Sequence, residues 1–107
     1  MTQRELISFS LTFPDAYQDM PFRDKTSIAI RHKSNKRIFA LFLSFHDQKA
    51  VNLKCDPMQA DFYRSIYKQV VPGWHMNKTH WNTVLFENGL EKTILEEMIR
   101  LSYQLTR

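Results

Sequence analysis

Two stretches between residues 27 and 55 alternate in side-chain character with a period of two, the mark of half-buried strands, and a mostly apolar run lies between them. Ser27 to Lys33 sets Ile28 and Ile30 on one face and Ala29 and Arg31 on the other. After a turn at Ser34-Asn35, residues Arg37 to His46 are rich in Phe and Leu and read as a mostly buried central strand. Asp47-Gln48 turns the chain again. Val51, Leu53 and Cys55 then alternate with Asn52 and Lys54 in a third strand. Three strands on short turns predict an antiparallel meander.

Helical spacing flanks this block. Thr2 and Glu5 form a capping box, followed by Leu6, Ile7, Phe9 and Phe13 on one face, with Pro14 closing the element. Residues 14–26 read as irregular. A second helix starts at the Asp56 cap with Pro57 in the first position, and Gln59 completes a capping box. Met58, Phe62 and Ile66 form its apolar stripe, flanked by Tyr63 and Tyr67, and Pro72-Gly73 ends it. Trp81 to Phe86 reads as another strand and Asn88-Gly89 as a turn. A last helix spans about Glu91 to Leu105, with Ile94, Leu95, Met98, Ile99 and Ser102 inward and Leu90 and Leu95 as a hydrophobic staple. The order is α-β-β-β-α-β-α. The expected fold is α+β, an antiparallel sheet with helices packed on one face in two layers. The opposite sheet face would be partly open and free to bind.

At 107 residues the chain reads as a single domain over 1–107 with enough apolar content for one core. Its one cysteine permits no intrachain disulfide. With neither a signal peptide nor a membrane span, the expected location is cytoplasmic. The net charge of +4 is unevenly spread. Residues 25–86 hold ten basic side chains against Asp47, Asp56 and Asp61, whereas both ends are mildly acidic. A basic middle suits an anionic partner, although basic surfaces also serve solubility.

Two segments carry candidate chemistry. The hairpin Arg31-His32-Lys33-Ser34-Asn35-Lys36-Arg37 has four formal charges and no acid nearby in sequence. Such a ribbon can lie along DNA, with Arg31, Lys33, Lys36 and Arg37 neutralising phosphates. It can equally be a solvated turn whose charges prevent edge aggregation. The second segment, Gly73 to Asn82, crowds Trp74, His75, Asn77, Lys78, His80, Trp81 and Asn82 into ten residues. It offers hydrogen-bonding groups beside flat apolar surface, or Trp81 is core and the polar groups satisfy an irregular backbone.

Other chemistries find little footing. His75 and His80 are five apart, which matches no usual zinc spacing, and no Cys-x-x-Cys exists. Cys55 shares the face of Val51 and Leu53 and reads as a buried thiol. Two glycines cannot make a phosphate loop, and Glu96 and Glu97 sit on the exposed side of the last helix. The expectation is a binding protein, not an enzyme, with no cofactor or metal.

Four blocks carry a resemblance. The run Pro72-Gly73-Trp74-His75-Met76-Asn77-Lys78-Thr79-His80-Trp81-Asn82-Thr83 resembles the hallmark of the MmcQ/YjbR family. Arg37-Ile38-Phe39-Ala40, Asn52-Leu53-Lys54-Cys55-Asp56-Pro57 and Ser102-Tyr103 follow the family's order. The resemblance implies an α+β fold related in outline to bacterial frataxin (CyaY-like) and a DNA-binding role. It places Lys54, His75, Asn77, Lys78, His80, Trp81 and Asn82 at characteristic positions. Trp74 stands where tyrosine is expected, and Thr79 where a second lysine is usual, which lowers the loop's charge. Asn52 and Lys54 point to the opposite strand face from Leu53 and Cys55. A loop folded over that face would let Lys54 and Lys78 share one anion. Three functions follow: duplex DNA binding, a protein-interaction or small-anion module built on Trp74 to Asn82, and iron handling. The last needs an acidic ridge, and the first helix offers only Glu5 in its body.

Overall fold

A computed structural model describes residues 1–107. Its elements are α1 (Gln3–Ser10), β1 (Ala16–Asp19), β2 (Ile28–His32), β3 (Ile38–Phe45), β4 (Gln48–Lys54), α2 (Pro57–Ile66), β5 (Val70–Pro72), β6 (Trp81–Val84) and α3 (Lys92–Thr106). The strands form one antiparallel sheet in the order β1-β2-β3-β4-β6-β5, and the α+β reading stands. Two short edge strands were not anticipated. β1 arises in the stretch read as irregular, and β5 in the stretch assigned to the end of the second helix. Both are held by backbone pairing, β1 on β2 and β5 on β6, which needs no apolar alternation of its own.

The termini show local chemistry at work. Thr2 and Glu5 close the expected capping box, each side chain accepting from the other's backbone N–H. Asp56 caps α2 by accepting from the Met58 N–H at 2.9 Å. The reciprocal bond from Gln59 does not form, so this cap is one-sided. The β3–β4 turn places His46 and Asp47 at φ 48° and 65°. Positive φ at both central residues suits the right-handed twist of a hairpin, and moves the turn one residue earlier than the sequence suggested.

The helix-facing side of the sheet carries Ile30, Phe42, Val51, Leu53 and Val84, packed with Leu6, Leu95, Met98 and Ile99. Leu90 and Leu95 are both buried at the start of α3. The α2 stripe is a correction. Met58, Phe62 and Ile66 lie 83%, 56% and 53% exposed, while Ala60 and Tyr63 face the core. The four-residue spacing is genuine helical periodicity, but it marks the outer face. The buried face is a small residue plus a tyrosine whose hydroxyl donates to Glu97 of α3. Burial and that bond push the Tyr63 phenol well above its ordinary value.

The opposite sheet face is also less open than expected. Ala29, Leu41, Ala50, Asn52 and Thr83 alternate onto it and are all buried. Segments around Phe22–Ser27 and Trp74–His75 lie over it, leaving a cleft between them.

Candidate nucleic-acid interface

Strand direction decides where the cations go. β2 ends at His32, β3 begins at Ile38, β4 ends at Lys54, β5 ends at Pro72 and β6 begins at Trp81. In an antiparallel sheet these points share one end. At the usual strand spacing, β3 and β6 stand only ~10 Å apart, with β4 between them. The hairpin bearing Lys33, Lys36 and Arg37, the terminus of β4 bearing Lys54, and the loop bearing Lys78 and His80 therefore leave the sheet side by side. α3 finishes there too: the Asn35 amide donates to the Thr106 carbonyl at 2.9 Å. This brings in Arg107, whose guanidinium lies 5.6 Å from the centre of the Tyr103 ring. Arg107 escaped the sequence reading because only the docking of α3 places it beside the hairpin. The other end of the sheet, where β3 turns into β4 and β6 runs out, sets Asp47 and Glu87 beside Lys49 and Lys68.

The hairpin is less purely basic than its sequence. β1 pairs with β2 and carries acids alongside it. Asp19 forms an ion pair with Arg31 at 3.0 Å, and the Asp15 carboxylate accepts the Ser34 N–H at 2.9 Å. Arg31 also donates to the Lys36 carbonyl at 2.8 Å, so it braces the hairpin and is not a free phosphate ligand. The Lys36 ammonium sits 5.2 Å from the centre of the Tyr17 ring. Lys33, Lys36 and Arg37 are exposed and Lys54 is half-buried.

Most polar groups of the Gly73 to Asn82 segment hold the loop in shape. Asn52 donates to the Trp74 carbonyl at 2.9 Å and accepts from the Thr83 hydroxyl, which itself accepts the Trp74 N–H at 2.7 Å. Arg64 of α2 donates to Asn82 Oδ1 at 2.6 Å, to the Trp81 carbonyl at 3.1 Å and to the Lys78 carbonyl. The Lys78 ammonium donates to the Gly73 carbonyl at 3.2 Å, so it turns onto its own loop and not outward to share an anion with Lys54. Gly73 is required: a Cβ there would sit 2.8 Å from Trp81 Cβ and 2.9 Å from its carbonyl oxygen. Asn82 is fully buried and Trp81 half-buried, which removes Asn82 from any contact surface. His75, Asn77, Lys78 and His80 remain exposed. Sequence reading missed Arg64, because its partners lie 14 to 18 residues away.

Buried His32 lies beneath the hairpin. Its Nε2 is 2.7 Å from Thr106 Oγ1, and its ring packs against Phe39 and Tyr103. Burial lowers its pKa from 6.5, aided by Arg107 and Arg37 and opposed by Asp15. The fold therefore holds the neutral ring, and the unfolded chain binds the extra proton. Stability should be flat above about pH 6.5 and decline as pH drops below it. The carboxylates of Glu5, Asp15 and Asp24 are held below their usual values, so their losses come at lower pH. Thermal melts from pH 8 to 5 check this: wild type should lose stability below about pH 6.5, and His32→Gln should lack that slope. A slope that persists in His32→Gln would assign it elsewhere.

Cys55 is buried, and its thiol is pushed up to about 11 by burial, a state unsuited to nucleophilic attack. Nowhere do three or more His, Cys, Asp or Glu side chains converge as metal ligands. No helix is long and apolar enough to cross a membrane.

Comparison with known proteins places this geometry in a group. The YjbR family model matches residues 11–105. YjbR of Escherichia coli strain K12 is 31% identical over 104 residues, covering 97% of this chain and 86% of that protein. YyaQ of Bacillus subtilis strain 168 is 29% identical over 100 residues, covering 83% and 84%. A Pseudomonas syringae crystal structure superposes with a TM-score of 0.88 at 27% identity, covering the whole of both chains. A Deinococcus radiodurans crystal structure does so with a TM-score of 0.84 at 29% identity, covering 97% of this chain and 77% of that one.

Proposed function

The chain belongs to the YjbR family, and we propose that it is a binding protein, not an enzyme, that contacts duplex DNA through the phosphate backbone. The observation that carries this reading is the convergence of Lys33, Lys36, Arg37, Lys54 and Arg107 at one end of the sheet, with Lys78 nearby but turned onto its own loop. These cations come from separate segments, gathered by the antiparallel topology and by the docking of α3. The exposed Asn77 and His80 add hydrogen-bonding groups beside them, whereas His75 lines the cleft on the second face of the sheet. Positive charge without a paired reader of base edges suits sequence-tolerant contact with phosphates.

A small-anion reading of the tryptophan segment has less support. The cleft beside Trp74 is lined by no lysine or arginine and includes Asp24. Amide spectra recorded as a short duplex is added at low salt test the proposal. Shifts should concentrate at residues 33–37, 54 and 77–80 and spare 46–48 and 85–90. Shifts confined to the second group would move the contact to the opposite end and overturn it.

A further inference from the structure

We infer that the cleft on the second face of the sheet is a binding site for an uncharged planar heterocycle with N–H groups on its edge, the chemistry of a nucleobase. The site is separate from the basic end and does not depend on it.

The cleft encloses about 350 Å³, within the range of small-ligand sites. Phe22 and Trp74 line its sides, and Leu41 and Leu43 of β3 form an apolar floor. Aromatic walls over an aliphatic floor select a flat molecule, because each ring face offers stacking area. The rim is polar: Thr26 and His75 bring groups able to donate and accept.

Charge narrows the class. Asp24 is the one ionisable acid in the lining, and no lysine or arginine joins it, so a phosphate or carboxylate ligand would meet repulsion. The Asp24 carboxylate is fixed in place. Oδ1 accepts from the Thr26 and Ser27 N–H groups, each at 3.1 Å, and Oδ2 from the Ser27 hydroxyl at 2.5 Å. A carboxylate has about four acceptor positions, which leaves one for a ligand N–H.

Two of the six non-glycine residues with left-handed backbone flank the cleft. His75 on one side of the cleft has φ 63°, and Lys25, between Asp24 and Thr26 on the other, has φ 56°. Left-handed backbone is uncommon for residues other than glycine and gathers where a site holds its loops in position. The His75 ring packs tilted against Trp74 with ring centroids 4.6 Å apart, and Trp74 meets Phe45 edge-on at 5.4 Å. The aromatic wall is thus braced by its neighbours before any ligand arrives.

The test is a titration of the whole protein with adenosine, guanosine, cytidine and uridine, and separately with a short single-stranded oligonucleotide, read by amide and indole N–H spectra. At least one nucleoside should shift Ser27, Leu41, Ser44 and the Trp74 indole saturably, equally at low and high salt. Phe22→Leu lies on an exposed loop and should weaken that response by about tenfold or more. Response to the oligonucleotide alone also supports the site and assigns the base to a polymer. Silence to both, or a response that Phe22→Leu leaves unchanged, would overturn the inference. Duplex binding at the basic end should be unaltered in Phe22→Leu, so the two sites succeed or fail separately.

Discussion

Replacing Lys33, Lys36, Arg37 and Lys54 together by glutamine should weaken duplex binding by about 10³ to 10⁴-fold near 0.1 M salt. The magnitude follows from counterion release. Each phosphate contact contributes a factor of roughly eight between 1 M and 0.1 M salt, and four contacts multiply. The matched control neutralises Arg4, Lys49, Lys68 and Lys92, which are exposed and distributed away from the hairpin. Lys92 acts on Glu5 at the start of α1, and Lys49 and Lys68 lie near the far ends of β4 and β5. Both variants lose four positive charges, so net charge cannot explain a difference between them. The control should keep binding within about tenfold of wild type, since these charges sit toward the opposite end of the strands and helices and are screened by salt. Equal losses in both variants would mean diffuse attraction with no interface. Fluorescence anisotropy with a labelled duplex reads both.

Arg64→Ala should cost about 3 kcal/mol and lower Tm by roughly 10 °C or more. A surface arginine on a helix would ordinarily matter by less than about 0.5 kcal/mol. Arg64 differs because its guanidinium joins Asn82, the Trp81 carbonyl and the Lys78 carbonyl, and its pairing with Asp61 at 3.6 Å is the least of its contacts. Removing it strands Oδ1 of a fully buried asparagine and frees the loop from α2. Asn82 would keep only its donation to the Ala60 carbonyl at 3.3 Å. Lysine should recover little, since one ammonium cannot span three acceptors in a fork. Thermal melts of both variants decide it. A change within the ordinary surface range would show that the loop holds itself.

Arg64 also shows where sequence reading stops. Thr2 and Glu5 lie within one turn, so their capping box was legible, as was the turn at Asn88-Gly89, where Gly89 has φ 85°. The β2 to β4 meander was legible because alternation in the outer two strands is a local consequence of the pleat, and the apolar run between them is bounded by turn signals. β1 was not: Ala16-Tyr17-Gln18-Asp19 has no alternating signal and is held by its partner's backbone. That pairing also delivers Asp15 and Asp19 to a hairpin that looked free of acids. The α2 stripe misled because bulk is not burial. Met58, Phe62 and Ile66 repeat at helical spacing, yet Ala60 fits the close approach of helix to sheet. The Gly73 to Asn82 segment was conspicuous for the right residues, but sequence could not divide them by task. Asn82 and the Lys78 carbonyl hold structure, and His75 and His80 remain at the surface.

The proposal rests on cations gathered by topology meeting phosphates at one end of the sheet. The most direct measurement is the affinity of the wild-type protein for a labelled duplex at several salt concentrations. Log K plotted against log salt should be linear with a slope of about −3.6, the value for four neutralised phosphates. A flat line, or no binding at the lowest salt, would contradict it.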